Sequence, residues 1–130
     1  NKVSSLYQNV SPGKDHWISA GSGISGVTYT SVVTGDYIRM ELSIHGRTQE
    51  ENKSIFDALI AKRQQIESDF GKQLEWERMD DKRMSRIKYE LAEVSVFHEE
   101  DWDKMFQFMS EVVPKFERAF KKPISMLTRK

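Results

Sequence analysis

The sequence predicts an α+β two-layer sandwich, with two long helices on one face of a four-stranded, mainly antiparallel sheet. Three observations carry this expectation. Two stretches alternate apolar and polar residues on either side of a short turn, as half-buried hairpins do. Each is followed by a segment whose apolar residues recur at three- and four-residue steps, the period of a one-sided helix. The order is therefore ββα-ββα, and stacking the helices on the sheet hides every apolar face at once.

Residues 1–13 hold Val3, Leu6, Tyr7 and Val10 at the spacing of part of a helix face. Residues 1–20 are expected to be a partly ordered lead-in to a single domain spanning 1–130. Residues 21–26 (GSGISG) read as a loop. In 27–33, Val27, Tyr29, Ser31 and Val33 face one way and Thr28, Thr30 and Val32 the other. Gly35-Asp36 fits a two-residue hairpin turn with glycine at its first central position. In 37–45, Ile38, Met40, Leu42 and Ile44 face the core, while Tyr37, Arg39, Glu41, Ser43 and His45 face out. This turn sets Val33 opposite Ile38, Tyr29 opposite Leu42 and Val27 opposite Ile44, so both apolar sets share a face.

Thr48 and Glu51 make a Thr-x-x-Glu capping box. It opens a helix over 50–70, roughly 30 Å long, with Ile55, Phe56, Leu59, Ile60, Ile66 and Phe70 as its apolar stripe. Gly71 stands where a glycine stops a helix. In the second hairpin, 74–79 turns Leu74, Trp76 and Arg78 inward, 80–83 is the turn, and 84–91 turns Ile87, Tyr89 and Leu91 inward. One register pairs Trp76 with Ile87, Leu74 with Tyr89, Glu77 with Arg86 and Glu75 with Lys88. A last helix over 99–121 carries Trp102, Met105, Phe106, Met109, Val112, Val113, Phe116 and Phe120 as its stripe. Pro114 predicts a kink or split near 110–114, and Pro123 the helix end. The hairpins can join through their first strands or their second, and the sequence leaves both open.

The chain has 130 residues, no cysteine, and 20 Lys+Arg against 20 Asp+Glu. Zero cysteines exclude a disulfide scaffold, a Cys-ligated zinc site and a thiol nucleophile. Zero net charge excludes a strongly basic stand-alone nucleic-acid binder. Neither a signal peptide nor an apolar run of ~20 residues is present, so a cytoplasmic protein without a membrane partner is expected. The chain begins at Asn1 rather than Met, and is expected to be a piece of a longer one.

Three surfaces are candidate sites. The open sheet face gathers Arg39, Glu41, Glu75, Glu77, Arg86, Lys88 and Glu90. Its simplest reading is a solvated face whose charges pair across strands. Arg39 and Glu41 have no assigned partner there, and with Glu77 and Arg86 they are the ligand or partner candidates. The second hairpin tip is basic, with Arg78, Lys82 and Arg83 as phosphate-contact candidates ahead of Arg86 and Lys88. The tail sets Lys115, Arg118, Lys121, Lys122, Arg129 and Lys130 against Glu117, with Lys121 and Lys122 as its phosphate-contact candidates. Asp80-Asp81-Lys82 matches an acidic-x-Lys nuclease pattern, but in a turn rather than on a rigid strand. His16, His45 and His98 have no partner at ligand spacing, so no metal is expected. No nucleophile elbow, P-loop or dinucleotide fingerprint is present, so neither a catalytic residue nor a cofactor is assigned. Trp17, Trp76 and Trp102 read as core anchors rather than a base-stacking platform.

The runs Asp36-Tyr37-Ile38-Arg39-Met40-Glu41-Leu42, Asn52-Lys53, Phe56-Asp57-x-Leu59, Phe70-Gly71-x-x-Leu74-x-Trp76-Glu77-Arg78 and Ser85-Arg86-Ile87, with Trp102 beyond, carry a resemblance. From about Trp17 to Phe120 the chain resembles a prokaryotic domain family of unknown function. Its members are similar in lying near the C-terminus of longer proteins, some with a nuclease-like domain upstream. The resemblance implies an accessory domain linked to DNA processing or defence against foreign DNA. It transfers no catalytic residue. The expected function is thus a non-enzymatic module that binds the upstream domain of its own chain, another protein or nucleic acid. The alternatives are a small enzyme or ligand-binding domain using the charged open face, and a homodimerisation module.

Overall fold

The computed structural model describes residues 16–127, with side chains from residue 19 onward. Five strands form one antiparallel sheet: β1 (His16–Gly21), β2 (Val27–Val33), β3 (Tyr37–Ile44), β4 (Glu75–Glu77) and β5 (Ser85–Ala92). Their order is β1-β2-β3-β5-β4. The expected four-stranded sheet gains β1 at its edge. Residues 16–20, placed in the lead-in, and Gly21, placed in the loop, pair along β2 from His16↔Val33 to Gly21↔Thr28. The part-helix expected over 1–13 lies outside the described residues.

The β2–β3 register is the predicted one, including Val33↔Ile38, Tyr29↔Leu42 and Val27↔Ile44. The two-residue turn is present, but Gly35 is not left-handed. The Thr34 hydroxyl holds the turn, accepting the Asp36 and Tyr37 N–H groups at 3.0 Å each. Gly35 supplies room: a Cβ there would come within 2.8 Å of the Phe97 ring. The two hairpins join through their second strands, β3 beside β5, with Met40↔Tyr89 and Leu42↔Ile87.

The predicted helix over 50–70 is two helices, α1 (Gln49–Ile60) and α2 (Arg63–Phe70). The Thr48 hydroxyl caps α1 by accepting the Glu51 N–H at 3.1 Å. The chain tightens at the junction, where Lys62 N–H donates to Leu59 O at 2.9 Å. The break falls in the gap between Ile60 and Ile66, where the apolar stripe is interrupted. Gly71 is left-handed at φ 95 and closes α2 as predicted.

In the second hairpin, Glu75↔Lys88, Trp76↔Ile87 and Glu77↔Arg86 pair as predicted. Leu74 stays outside the ladder, because its N–H is taken by the Glu67 carboxylate at 2.8 Å. The turn is longer than 80–83 and runs over 78–84, with Met79 at φ 57. Arg78 does not point inward; its guanidinium reaches Asp57 and Asp80.

A 3₁₀ turn (Glu99–Asp101) leads into α3 (Trp102–Gln107), a π-helical turn (Phe108–Val112) and α4 (Val113–Leu127). The disturbance expected before Pro114 is this π turn, which widens the helix where the proline ring would clash. Pro123 does not end α4. Burial of Ile124, continuing the Phe116–Phe120 stripe, carries the helix past it.

The core lies between the helices and the apolar sheet face. Ile38, Leu42, Ile44, Ile87, Leu59, Ile66, Phe116 and Phe120 are all fully buried. Trp76 and Trp102 pack against it, as anchors should. The side chain of Trp17 is outside the described residues.

Candidate functional site

The fold gives α1 two faces. Phe56 and Leu59 go to the core. Gln49, Asn52, Lys53 and Asp57, spaced three, one and four residues apart, form a polar stripe that faces loop 78–84. Gln49 donates to Asp80 O at 2.7 Å and Asn52 to Arg83 O at 2.8 Å. Asp57 takes the Arg78 guanidinium in a two-pronged pair at 2.9 and 3.0 Å. Such fork-to-fork bonds fix orientation as well as distance.

Lys53 is the centre of this clamp and is 7% exposed. Its three ammonium N–H groups are shared among four acceptors: Arg78 O, Met79 O at 2.8 Å, Met84 O at 2.7 Å and Ser85 Oγ at 2.8 Å. Burial pulls its pKa down, while Asp80, Asp81 and Asp57 pull it back up. Asn52, fully buried, also ties Gly46 through both its N–H and its carbonyl, at 2.7 and 3.2 Å. The loop is therefore held at both ends from one helix face. Lys82 and Arg83 stand exposed on it, beside exposed Asp80 and Asp81.

The open sheet face brings Arg39, Glu41, Glu77 and Arg86 together, as the alternation implies. Arg39 and Glu41 are not without partners, however. Arg39 Nε lies 2.9 Å from Glu41 Oε1, and Nη1 lies 3.4 Å from Glu90 Oε1. The Arg39 guanidinium also sits 4.9 Å from the centre of the Tyr37 ring. Glu41, 5% exposed, accepts the Ser43 hydroxyl at 2.8 Å. Arg86 pairs with Glu77, and Lys88 Nζ lies 3.6–3.8 Å from Glu75, Glu77 and Glu90. Burial alone would raise the Glu77 carboxyl, but Arg86, Lys88 and Arg39 hold it below its usual range. The face is a self-paired charge lattice.

The basic hairpin tip is thus dispersed. Arg78, Arg86 and Lys88 are matched to carboxylates, leaving Lys82 and Arg83 facing solvent. On α4, Lys121 and Lys122 diverge. Lys121 borders a cleft over Tyr29, and Lys122 a groove beside α2. Arg129 and Lys130 lie outside the described residues. Asp80-Asp81-Lys82 sits in the loop, with Asp80 on Arg78. Among the described residues no three His, Asp or Glu side chains form a metal-holding group, and no helix is long and apolar enough to cross a membrane.

The sequence reading missed the α1 stripe. Gln49, Asn52, Lys53 and Asp57 look like ordinary solvent residues on an amphipathic helix. Asn52, Lys53 and Asp57 fall within the runs that carry the family resemblance, and all four share one helix face, but neither signal gives them a role.

Fold and site together define a small α+β domain with a helix-clamped loop and a self-paired charged sheet. The family described as Domain of unknown function (DUF4268) matches residues 1–124, and the chain belongs to it. No curated protein and no solved structure matches the chain.

Proposed function

We propose that the domain is a non-enzymatic accessory module of a larger prokaryotic protein, and that it docks the upstream domain of that protein through loop 78–84. The observation that carries this reading is the clamp of Gln49, Asn52, Lys53 and Asp57. A buried lysine is costly to desolvate, and here it is spent on fixing a surface loop. Loops held by a rigid scaffold are where binding residues concentrate. The exposed tip carries two acids and two bases, which suits a protein surface of mixed charge better than a polyanion. The link to DNA processing or defence against foreign DNA rests on the family resemblance. The double charge reversal K82E/R83E tests the reading. Docking to the upstream domain is expected to be lost in a calorimetric titration, while stability changes by no more than about 0.5 kcal/mol, as for surface sites generally. Unchanged docking would sink it.

A second reading has its own observation. Arg39 Nε is buried and makes no aligned hydrogen bond among the described residues, on a face where Ser19, Thr28, Thr30 and Ser43 line a shallow depression. A small polar ligand in that depression would compete with Glu41 for the Arg39 guanidinium. Arg39→Ala and Glu41→Ala would then abolish ligand binding with the fold retained; unfolding instead would mark the pair as structural.

A further inference from the structure

A cleft of about 470 Å³ opens between loop 21–26 and the first turns of α4, lined by Ser22, Tyr29, Pro114, Glu117, Arg118 and Lys121. Its floor is the Tyr29 phenol. That ring is buried and packs edge-on against Phe116, with centroids 6.4 Å apart. The hydroxyl's contact is the Glu117 carbonyl oxygen at 3.5 Å, long for an O–H donor. Burial and the Glu117 carboxylate push this phenol up to about 12, so it stays protonated and keeps its proton to give. At the rim stand Arg118 and Lys121, one helical turn apart and both exposed. Neither enters an ion pair among the described residues, whereas Arg39, Arg78, Arg86 and Lys88 all do.

A glycine-serine loop without a following lysine is no phosphate loop by sequence. The fold supplies the missing cations from α4, some ninety residues away in the chain. Two free cations, one under-used phenolic donor and a recessed floor match the chemistry of a single phosphoryl group. Cations and neutral donors converging on its oxygens are the ordinary means of recognition. We infer that this cleft binds one phosphoryl group, with Arg118 and Lys121 on its charge and the Tyr29 hydroxyl on one oxygen. Glu117 is the single opposing charge, so the site is weakly rather than strongly cationic. It is separate from the self-paired sheet face and does not depend on the docking role of loop 78–84.

The test is a titration of the domain with inorganic phosphate and, separately, with a short oligonucleotide carrying or lacking a 5′-phosphate, followed by amide NMR shifts. Saturable shifts at Ser22, Tyr29 and Lys121 are expected. Saturation by inorganic phosphate marks a free-phosphate source. Saturation by the 5′-phosphorylated strand, with the unphosphorylated one silent, marks a terminal nucleotide phosphate. R118A/K121A should weaken binding roughly tenfold or more. Tyr29→Phe should weaken it several-fold without unfolding the domain, and Glu117→Gln should tighten it. Absence of saturation with every probe, or equal binding by wild type and R118A/K121A, overturns the proposal. Weakening by Glu117→Gln would also overturn it, since the opposing charge would then be a ligand contact.

Discussion

A lysine ammonium taken out of water is destabilising unless its donors are matched, and Lys53 meets four acceptors. Lys53→Met leaves three carbonyls and the Ser85 hydroxyl without that partner. The expected loss is on the order of 3 kcal/mol in urea unfolding; a loss below about 1 kcal/mol would show that water replaces the ammonium freely. Glycines give a second contrast at this scale. Gly26 is left-handed at φ 83, and a Cβ there would lie 2.7 Å from the Gly46 Cα, so Gly26→Ala strains the backbone and collides with it. Gly35→Ala meets only the edge of the exposed Phe97 ring, which can swing aside. Thermal melts should therefore show a much larger drop for Gly26→Ala than for Gly35→Ala. The sequence marks both glycines as turn residues but does not distinguish them, because the distinction comes from Gly46 and Phe97, remote in the chain.

Elements were legible where pairing is local. Each hairpin register followed from alternation and turn length, and each was right where the strands extend. The break between α1 and α2 was not legible, because neither glycine nor proline marks it. Strand β1 was hidden by the glycine-serine loop, which made the preceding residues look like a tail. Pro123 misled in the other direction. The cost of an interior proline was visible, but the burial of Ile124 that outweighs it was not. Pro123→Ala should give the Ala119 carbonyl back its donor and raise stability by about 1–3 kcal/mol; no gain in chemical unfolding would show that the proline costs this helix nothing. Glu67 ties α2 to β4. Burial alone would raise its carboxyl, but Leu74 N–H, the Trp76 indole and Arg63 hold it below its ordinary value of 4.5. A depressed carboxyl contributes stability that is complete above 4.5 and is lost as pH falls through its folded value. Unfolding free energy should therefore decline in that acid range, and Glu67→Gln should flatten the decline; an identical acid limb in the variant would contradict the assignment.

Among the described residues, the charges of the open sheet face and of the root of loop 78–84 stand in matched pairs. Three basic residues singled out by the sequence, Arg78, Arg86 and Lys88, turn out to be occupied by carboxylates. The hairpin register already assigned Glu77 to Arg86 and Glu75 to Lys88; the pairing of Arg78 with Asp57 was not legible, because Asp57 approaches only through the fold. The candidate face around Arg39 and Glu41 was correctly assembled from alternation, while the clamp that dominates the loop was invisible, since burial of Lys53 is decided by helix placement. Of the basic residues that the sequence singles out, those with no ion pair among the described residues lie on the loop tip and on α4. The proposed docking role makes this distribution measurable by hydrogen exchange on the domain alone and in complex with its upstream domain. New protection confined to residues 78–84 is the predicted result. Protection on the open face around Arg39 and Glu41, with loop 78–84 unchanged, would contradict it.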